Sequence, residues 1–239
     1  MTMGKPSSAW KDEATVRHPR IKICGLRTPE AVDAVLRHGG PEVGFVHFPK
    51  SPRHLSLPDM AALRAYLGGR AAVTIVTVDP NDALLEAIRR DIRPDTIQLH
   101  GSETPERVAE IGRRTGLATM KALSVHDAHD IASVAAYRGI ADRLLLDAKA
   151  PKGAALPGGN GVAFDWRLLA GLPAGLDYML SGGLAPDNVG AALRQAAPPG
   201  LDVSSGVESA PGVKDIHLID QFFDAVLAAS QPLEGRRAS

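Results

Sequence analysis

From Ile21 onward, short runs dense in β-branched residues and leucine alternate with longer segments in which apolar residues recur three and four apart. The first kind of run reads as a strand buried on both faces, the second as an amphipathic helix. The strand runs are IKIC, VGFVH, AVTIVTV, DTIQLH, ATMKALS, RLLLDA, GLDYMLSG and GLDVSSG. The helical segments that follow them in turn are TPEAVDAVLRHG, LPDMAALRAYLGG, NDALLEAIRR, TPERVAEIGRRTG, VHDAHDIASVAAYRG, FDWRLLAGL, APDNVGAALRQAA and VKDIHLIDQFFDAVLAA, opened by capping residues or proline.

Eight such pairs in strict alternation within roughly 210 residues predict an α/β fold, a single (β/α)8 TIM barrel at the short end of its size range. An open doubly wound sheet is the alternative. It is disfavoured because no GxGxxG follows the first run and no switch point for a nucleotide is visible. No fixed-period repeat and no linker divides the chain. The expected organisation is a polar leader over 1–20, the barrel over 21–230 and a frayed tail over 231–239.

Composition narrows the function classes. No apolar run approaches the ~20 residues that cross a bilayer. Lysine plus arginine and aspartate plus glutamate number 27 each, so no global basic field gathers nucleic acid or an anionic membrane, and an anionic ligand must be held locally. The single cysteine, Cys24, rules out an internal disulfide, and the charges between Met1 and Arg20 interrupt the apolar centre of a signal peptide. The expected location is the cytoplasm.

In a barrel of this kind the chemistry sits where the strands end at their carboxyl side. Cys24 ends the first run, just before Gly25 and the start of a helix, where backbone amides favour a thiolate; the plainer reading is a small buried hydrophobe. Asp147 ends the sixth run and is followed by the long Gly/Pro-rich stretch AKAPKGAALPGGNGVA, which reads as a lid or binding loop. A thiol and a carboxyl on separate strands can serve a substrate as base and acid. SGGL (Ser181–Leu184) and SSGVE (Ser204–Glu208) close the seventh and eighth runs, the two places where barrels cradle phosphate on exposed backbone N–H groups. Arg53, in PKSPRHLS after the second run, suits a planar carboxylate, and His100 and Asp79 end the fourth and third runs at the same mouth. The eight histidines show no HxH or HExxH spacing, so no metal is expected.

Alternation along the strands adds one inference. Lys22 shares the inward face of Cys24, and a buried ammonium needs a carboxylate; Asp202 on the eighth run, which closes against the first, is the expected partner. Once paired, Lys22 would lend a Cys24 thiolate only modest help.

Together KICG, GFVHFPKSPR, QLHG, LLLDAK, PGGNGVAFDW, LSGGL and DVSSGVE, spread over about Lys22 to Asp220, resemble the phosphoribosylanthranilate isomerase family. The resemblance implies a ribulose-phosphate-binding barrel of tryptophan biosynthesis that uses no cofactor. The implied reaction is an aldose–ketose Amadori rearrangement of N-(5-phosphoribosyl)anthranilate to 1-(2-carboxyphenylamino)-1-deoxyribulose 5-phosphate. By motif, it implies Cys24 as general base, Asp147 as general acid, Arg53 at the anthranilate carboxylate, and Gly182, Gly183, Ser204, Ser205 and Gly206 at the phosphate. His100 is expected among the substrate-binding residues. The implied partner is a small phosphorylated molecule, with neither nucleic acid nor membrane, and the assembly a monomer or homodimer.

The acid must keep its proton and the base lose its own, so a depressed Cys24 pKa is expected. Two positions depart from the family pattern: Asn160 stands where threonine is common, and Asp79 where asparagine is common. A carboxylate at Asp79 would repel an anionic substrate, so it should turn away or bond a backbone amide. Two rivals are weaker. The histidine-pathway isomerase resembles two half-barrels with aspartates ending strands one and five, whereas these runs end in Cys24 and in ATMKALS. A non-catalytic phosphate-binding barrel would need neither Cys24 nor Asp147.

Overall fold

The computed structural model describes residues 18–39, 42–148, 165–173 and 175–230. Eight parallel strands close into a barrel in sequence order: β1 (Arg20–Cys24), β2 (Glu42–Val46), β3 (Val73–Thr77), β4 (Thr96–Leu99), β5 (Ala118–Val125), β6 (Arg143–Ala148), β7 (Tyr178–Leu180) and β8 (Gly200–Val203). The expected barrel is the observed fold. Around it lie α1 (Pro29–Leu36), α2 (Leu57–Leu67), α3 (Asp82–Asp91), α4 (Pro105–Thr115), α5 (Ala128–Ser133), α6 (Val189–Ala196) and α7 (Ile216–Ser230).

The helix starts follow from local chemistry. In α1, α2 and α4 a Thr or Ser side chain accepts a hydrogen bond from a backbone N–H in the first turn, with proline in that turn. The carboxyl ends of α2 and α4 stop at Gly68 and Gly116 in left-handed backbone. Each helix follows a strand, and the strand-end residues cluster at one rim.

Strand alternation divides the interior in two. Ile23, Val43, Phe45, Ile75, Ile97, Leu99, Leu144 and Leu146 point outward into the large core shared with the helices. Met120, Ala122, Leu145 and Met179 point inward and form a separate cluster within the barrel. Inward charges occupy the same space: Arg143 pairs with Glu42 at 2.8 Å, and Thr74 Oγ1 donates to that carboxylate. Lys22 aligns with Asp202 across the β1–β8 seam, and their side chains meet at 2.5 Å, as the alternation anticipates. Ser181 Oγ donates to the other Asp202 oxygen at 3.2 Å. Lys22 is 0% exposed; burial works against its charge, but Asp202, with Cys24 and Glu42, outweighs that and holds its pKa above the ordinary range.

Removing the ammonium with Lys22→Met should strand the Asp202 carboxylate and cost about 3–5 kcal/mol of unfolding free energy. Urea denaturation at neutral pH measures it. A loss below about 1 kcal/mol would mean that Asp202 finds another donor.

Three segments differ from their sequence patterns. FDWRLLAGL forms only a 3₁₀ turn over Trp166–Gly171, capped by Asp165, because Gly171 and Pro173 leave too few residues to propagate an α-helix. The segment after the fifth run begins later than expected: Val125 extends β5 by pairing with Ala148, and α5 gives way to a 3₁₀ turn over Val134–Tyr137. Before α7, Val213–Lys214 forms β10, antiparallel to β9 (Glu208–Ala210), a hairpin without counterpart in the sequence reading. The expected leader, apart from its last residues, the expected tail, and the loop over 149–164 with Asn160 lie outside the described residues.

Candidate active site

A pocket opens at the rim where the strands end. Cys24, Arg53, His100, Asp147, Gly182, Gly183, Ser204 and Ser205 all line it, so eight of the nine expected site residues converge on one space. Gly206 is the exception. It lies in a 3₁₀ turn over Ser205–Val207, where a Cβ would come within 1.8 Å of the Leu184 carbonyl oxygen. Its glycine is required by the close approach of the β7 and β8 loops, which sets the spacing of the serines and glycines that face the pocket.

Cys24 enters from β1 on the inward face and is 7% exposed. Its surroundings overturn the expectation of a depressed pKa. Burial pushes the thiol up; Lys22 opposes this and Asp202 adds to it, with Lys214 a smaller opposing charge. Burial is the larger effect, and the Asp202 carboxylate beside Lys22 offsets part of what the ammonium would otherwise do for the thiolate. Gly44 is the neighbour of Cys24 on β2, and a Cβ there would lie 3.0 Å from the sulfur, so the strand leaves room for the thiol.

Asp147 points inward from β6, two residues beyond Leu145, and is 3% exposed. His100 Nε2 stands 3.4 Å from its Oδ2. His100 Nδ1 in turn lies 3.1 Å from the Nε2 of Gln98, a residue that also lines the pocket.

The two glycine- and serine-rich turns present backbone to the pocket. Gly182 and Gly183 have φ of 85° and 64°, a left-handed pair that side chains resist. Asn188 pins the turn: its Nδ2 donates to Gly183 O at 2.7 Å and its Oδ1 accepts from Ala185 N at 2.9 Å. Ser204 Oγ donates to Cys24 O at 3.0 Å, stitching the β8 loop to the end of β1.

Arg53 is buried, with Nε and Nη2 each 2.8 Å from a Glu208 oxygen. Lys214 Nζ lies 2.7 Å from Glu208 Oε1 and 2.8 Å from Ser204 O. Burial alone would raise the Glu208 pKa, but the Arg53 hydrogen bonds and the Lys214 charge hold it below the usual carboxylate range. Burial pushes the Lys214 ammonium down, against the pull of Glu208. The planar carboxylate that Arg53 meets in the structure is that of Glu208, which holds two of its three nitrogens. Gly25 completes the clamp, because a Cβ there would meet Arg53 Cδ at 2.7 Å.

Asp79 turns away as expected: its Oδ1 accepts from Ser102 N at 2.7 Å, in left-handed backbone that aspartate tolerates. Sequence reasoning missed Gln98, Glu208, Lys214 and Asn188 as parts of this site. Gln98 was reachable, since it sits two residues before His100 on the same face; Lys214 was concealed inside a segment read as helix.

Fold and pocket together define a class: a (β/α)8 barrel whose rim brings a buried thiol, a buried carboxyl and two glycine- and serine-rich turns around one cavity. The family model for N-(5'-phosphoribosyl)anthranilate (PRA) isomerase matches residues 21–225. The N-(5'-phosphoribosyl)anthranilate isomerase of Brucella canis is 57% identical over 219 residues, covering 91% of this chain and 98% of the relative. The crystal structure of phosphoribosyl anthranilate isomerase from Thermotoga maritima superposes with a TM-score of 0.79 at 32% identity, covering 88% of this chain and 99% of that one. A phosphoribosyl anthranilate isomerase in complex with reduced 1-(o-carboxyphenylamino)-1-deoxyribulose 5-phosphate gives 0.75 at 30% identity, with 88% and 99% covered. The chain belongs to the N-(5'-phosphoribosyl)anthranilate isomerase family.

Proposed function

We propose that Cys24 and Asp147 divide the acid–base work of the family's reaction, the isomerisation of N-(5'-phosphoribosyl)anthranilate in tryptophan biosynthesis. Asp147 gives its proton to the furanose ring oxygen as the C1′–O bond breaks, leaving an open-chain iminium ion. That positive charge acidifies the C2′ hydrogen, and the Cys24 thiolate removes it. The resulting enolamine tautomerises to the ketone. Burial of both groups in one pocket is the observation that carries this reading, because an acid and a base held on separate strands can serve one substrate without diffusing to it.

The remaining residues fix the substrate between acid and base. Gly182, Gly183, Ser204 and Ser205 offer N–H and hydroxyl groups to the phosphate, with Gly206 keeping the two turns in contact. Arg53, oriented by Glu208, presents its remaining nitrogen to the anthranilate carboxylate. The same reading takes residues 21–230 as the catalytic unit and needs no cofactor. It places the protein in the cytoplasm, on its single cysteine, as a monomer or homodimer; one of the related solved structures concerns monomers of a dimeric Thermotoga maritima enzyme.

Turnover of freshly generated phosphoribosylanthranilate, followed by the loss of its fluorescence, tests the function; a folded chain with no turnover overturns it. In the same assay Arg53→Ala should raise KM by roughly tenfold to a hundredfold, the cost of one charge-assisted hydrogen bond, while kcat falls less. A change confined to thermal stability would make Arg53 structural.

A further inference from the structure

Gln98 and His100 project from the end of β4 into the pocket, and both carry an unsatisfied atom. Gln98 is 1% exposed; its Nε2 lies 3.1 Å from His100 Nδ1, while Gln98 Oε1 and His100 Nε2 are buried with no hydrogen-bond partner among the described residues. Buried polar atoms are seldom left so, and both residues line the pocket that also holds Asp147. An amide N–H can donate only to a bare ring nitrogen; with the Gln98 amide nitrogen toward the ring, Nδ1 is the acceptor and a ring bearing one proton carries it on Nε2. That N–H faces Asp147 Oδ2 at 3.4 Å.

We infer that His100 is a positioning residue for Asp147, held as the Nε2–H tautomer by Gln98, and that it assigns the two carboxyl oxygens different tasks. This rests on the reading of Asp147 as the acid. Oδ2 is the oxygen that faces His100 Nε2, at 3.4 Å, so the transferable proton is assigned to Oδ1. Oδ1 faces the phosphate-cradle turn: a Cβ on Gly182 would come within 2.9 Å of it. When the proton passes from Oδ1 to the sugar ring oxygen, the electron pair of the broken O–H bond stays on the carboxylate. His100 keeps its own proton. Its N–H then becomes a charge-assisted donor to Oδ2, and the long contact closes as the charge develops. The device favours the product of the proton transfer over its starting state.

The tautomer can be read directly from long-range ¹⁵N–¹H spectra of the full chain, with His100→Asn identifying the His100 signals. An Nε2–H pattern is expected, and an Nδ1–H pattern, with Gln98 turned to accept, overturns the inference. Gln98→Met keeps the bulk and removes the donor. It should lower kcat roughly tenfold, with KM and affinity for the reduced product within about twofold, and should shift His100 toward a mixture of tautomers. An unchanged kcat with that spectral shift overturns the inference, while the acid role of Asp147 stands or falls separately on Asp147→Asn.

Discussion

Replacing Cys24 by alanine is expected to lower kcat by roughly a thousandfold, within the range of a positioned general base, while the variant still binds the reduced product. The side chain removed is small, and Gly44 already gives the sulfur its room, so the barrel should close around alanine without strain. The pH dependence separates base from spectator. A base role requires the thiolate, and burial holds the thiol above its ordinary range in the free protein. The thiolate fraction rises with pH through the thiol pKa and levels off above it, so kcat/KM should keep climbing past about 8.5, where an unperturbed thiol titrates. Stopped initial rates across pH would show it. A variant as fast as the wild type would make Cys24 a packing residue and leave the base to be found elsewhere.

The second large effect concerns Asp147→Asn, where the expected loss in kcat is also on the order of a thousandfold. The amide keeps the shape and can still meet His100, so binding and stability should change little, yet it has no proton to give the ring oxygen. Lowering the pH should not restore activity, because an amide is not protonated in the accessible range. Steady-state kinetics with a parallel thermal melt would check both statements. An undiminished rate would remove Asp147 from the acid role and transfer the question to His100.

Much of this site was legible in the chain because the relevant signals are local. A strand end is marked by the change from an apolar run to Gly or a capping residue, and the barrel places all such ends at one rim; hence Cys24, His100, Asp147 and the two glycine turns could be named by position. Lys22 and Asp202 were legible for a second reason, that alternation in two adjacent strands fixes which side chains share an interior. Glu208 and Lys214 were not. Their partners are set by the β9–β10 hairpin, whose two short strands carry no periodicity that could be read against the longer helical pattern of α7. The direction of the Cys24 shift was misjudged because it depends on the balance of burial against a charge that is itself matched.

The Lys22–Asp202 pair joins residues 180 positions apart, and its two members lie on the first and last strands. At roughly 5–20 residues per second on a ribosome, β1 waits on the order of ten seconds or more for its partner to be made. Until then Lys22 lacks its carboxylate, and burying an unpaired ammonium in an apolar interior is costly. The seam that completes the cradle therefore also times assembly: no fragment that lacks β8 can hold its first strand as the finished enzyme does, and the pocket comes into being only when synthesis of the barrel is nearly done.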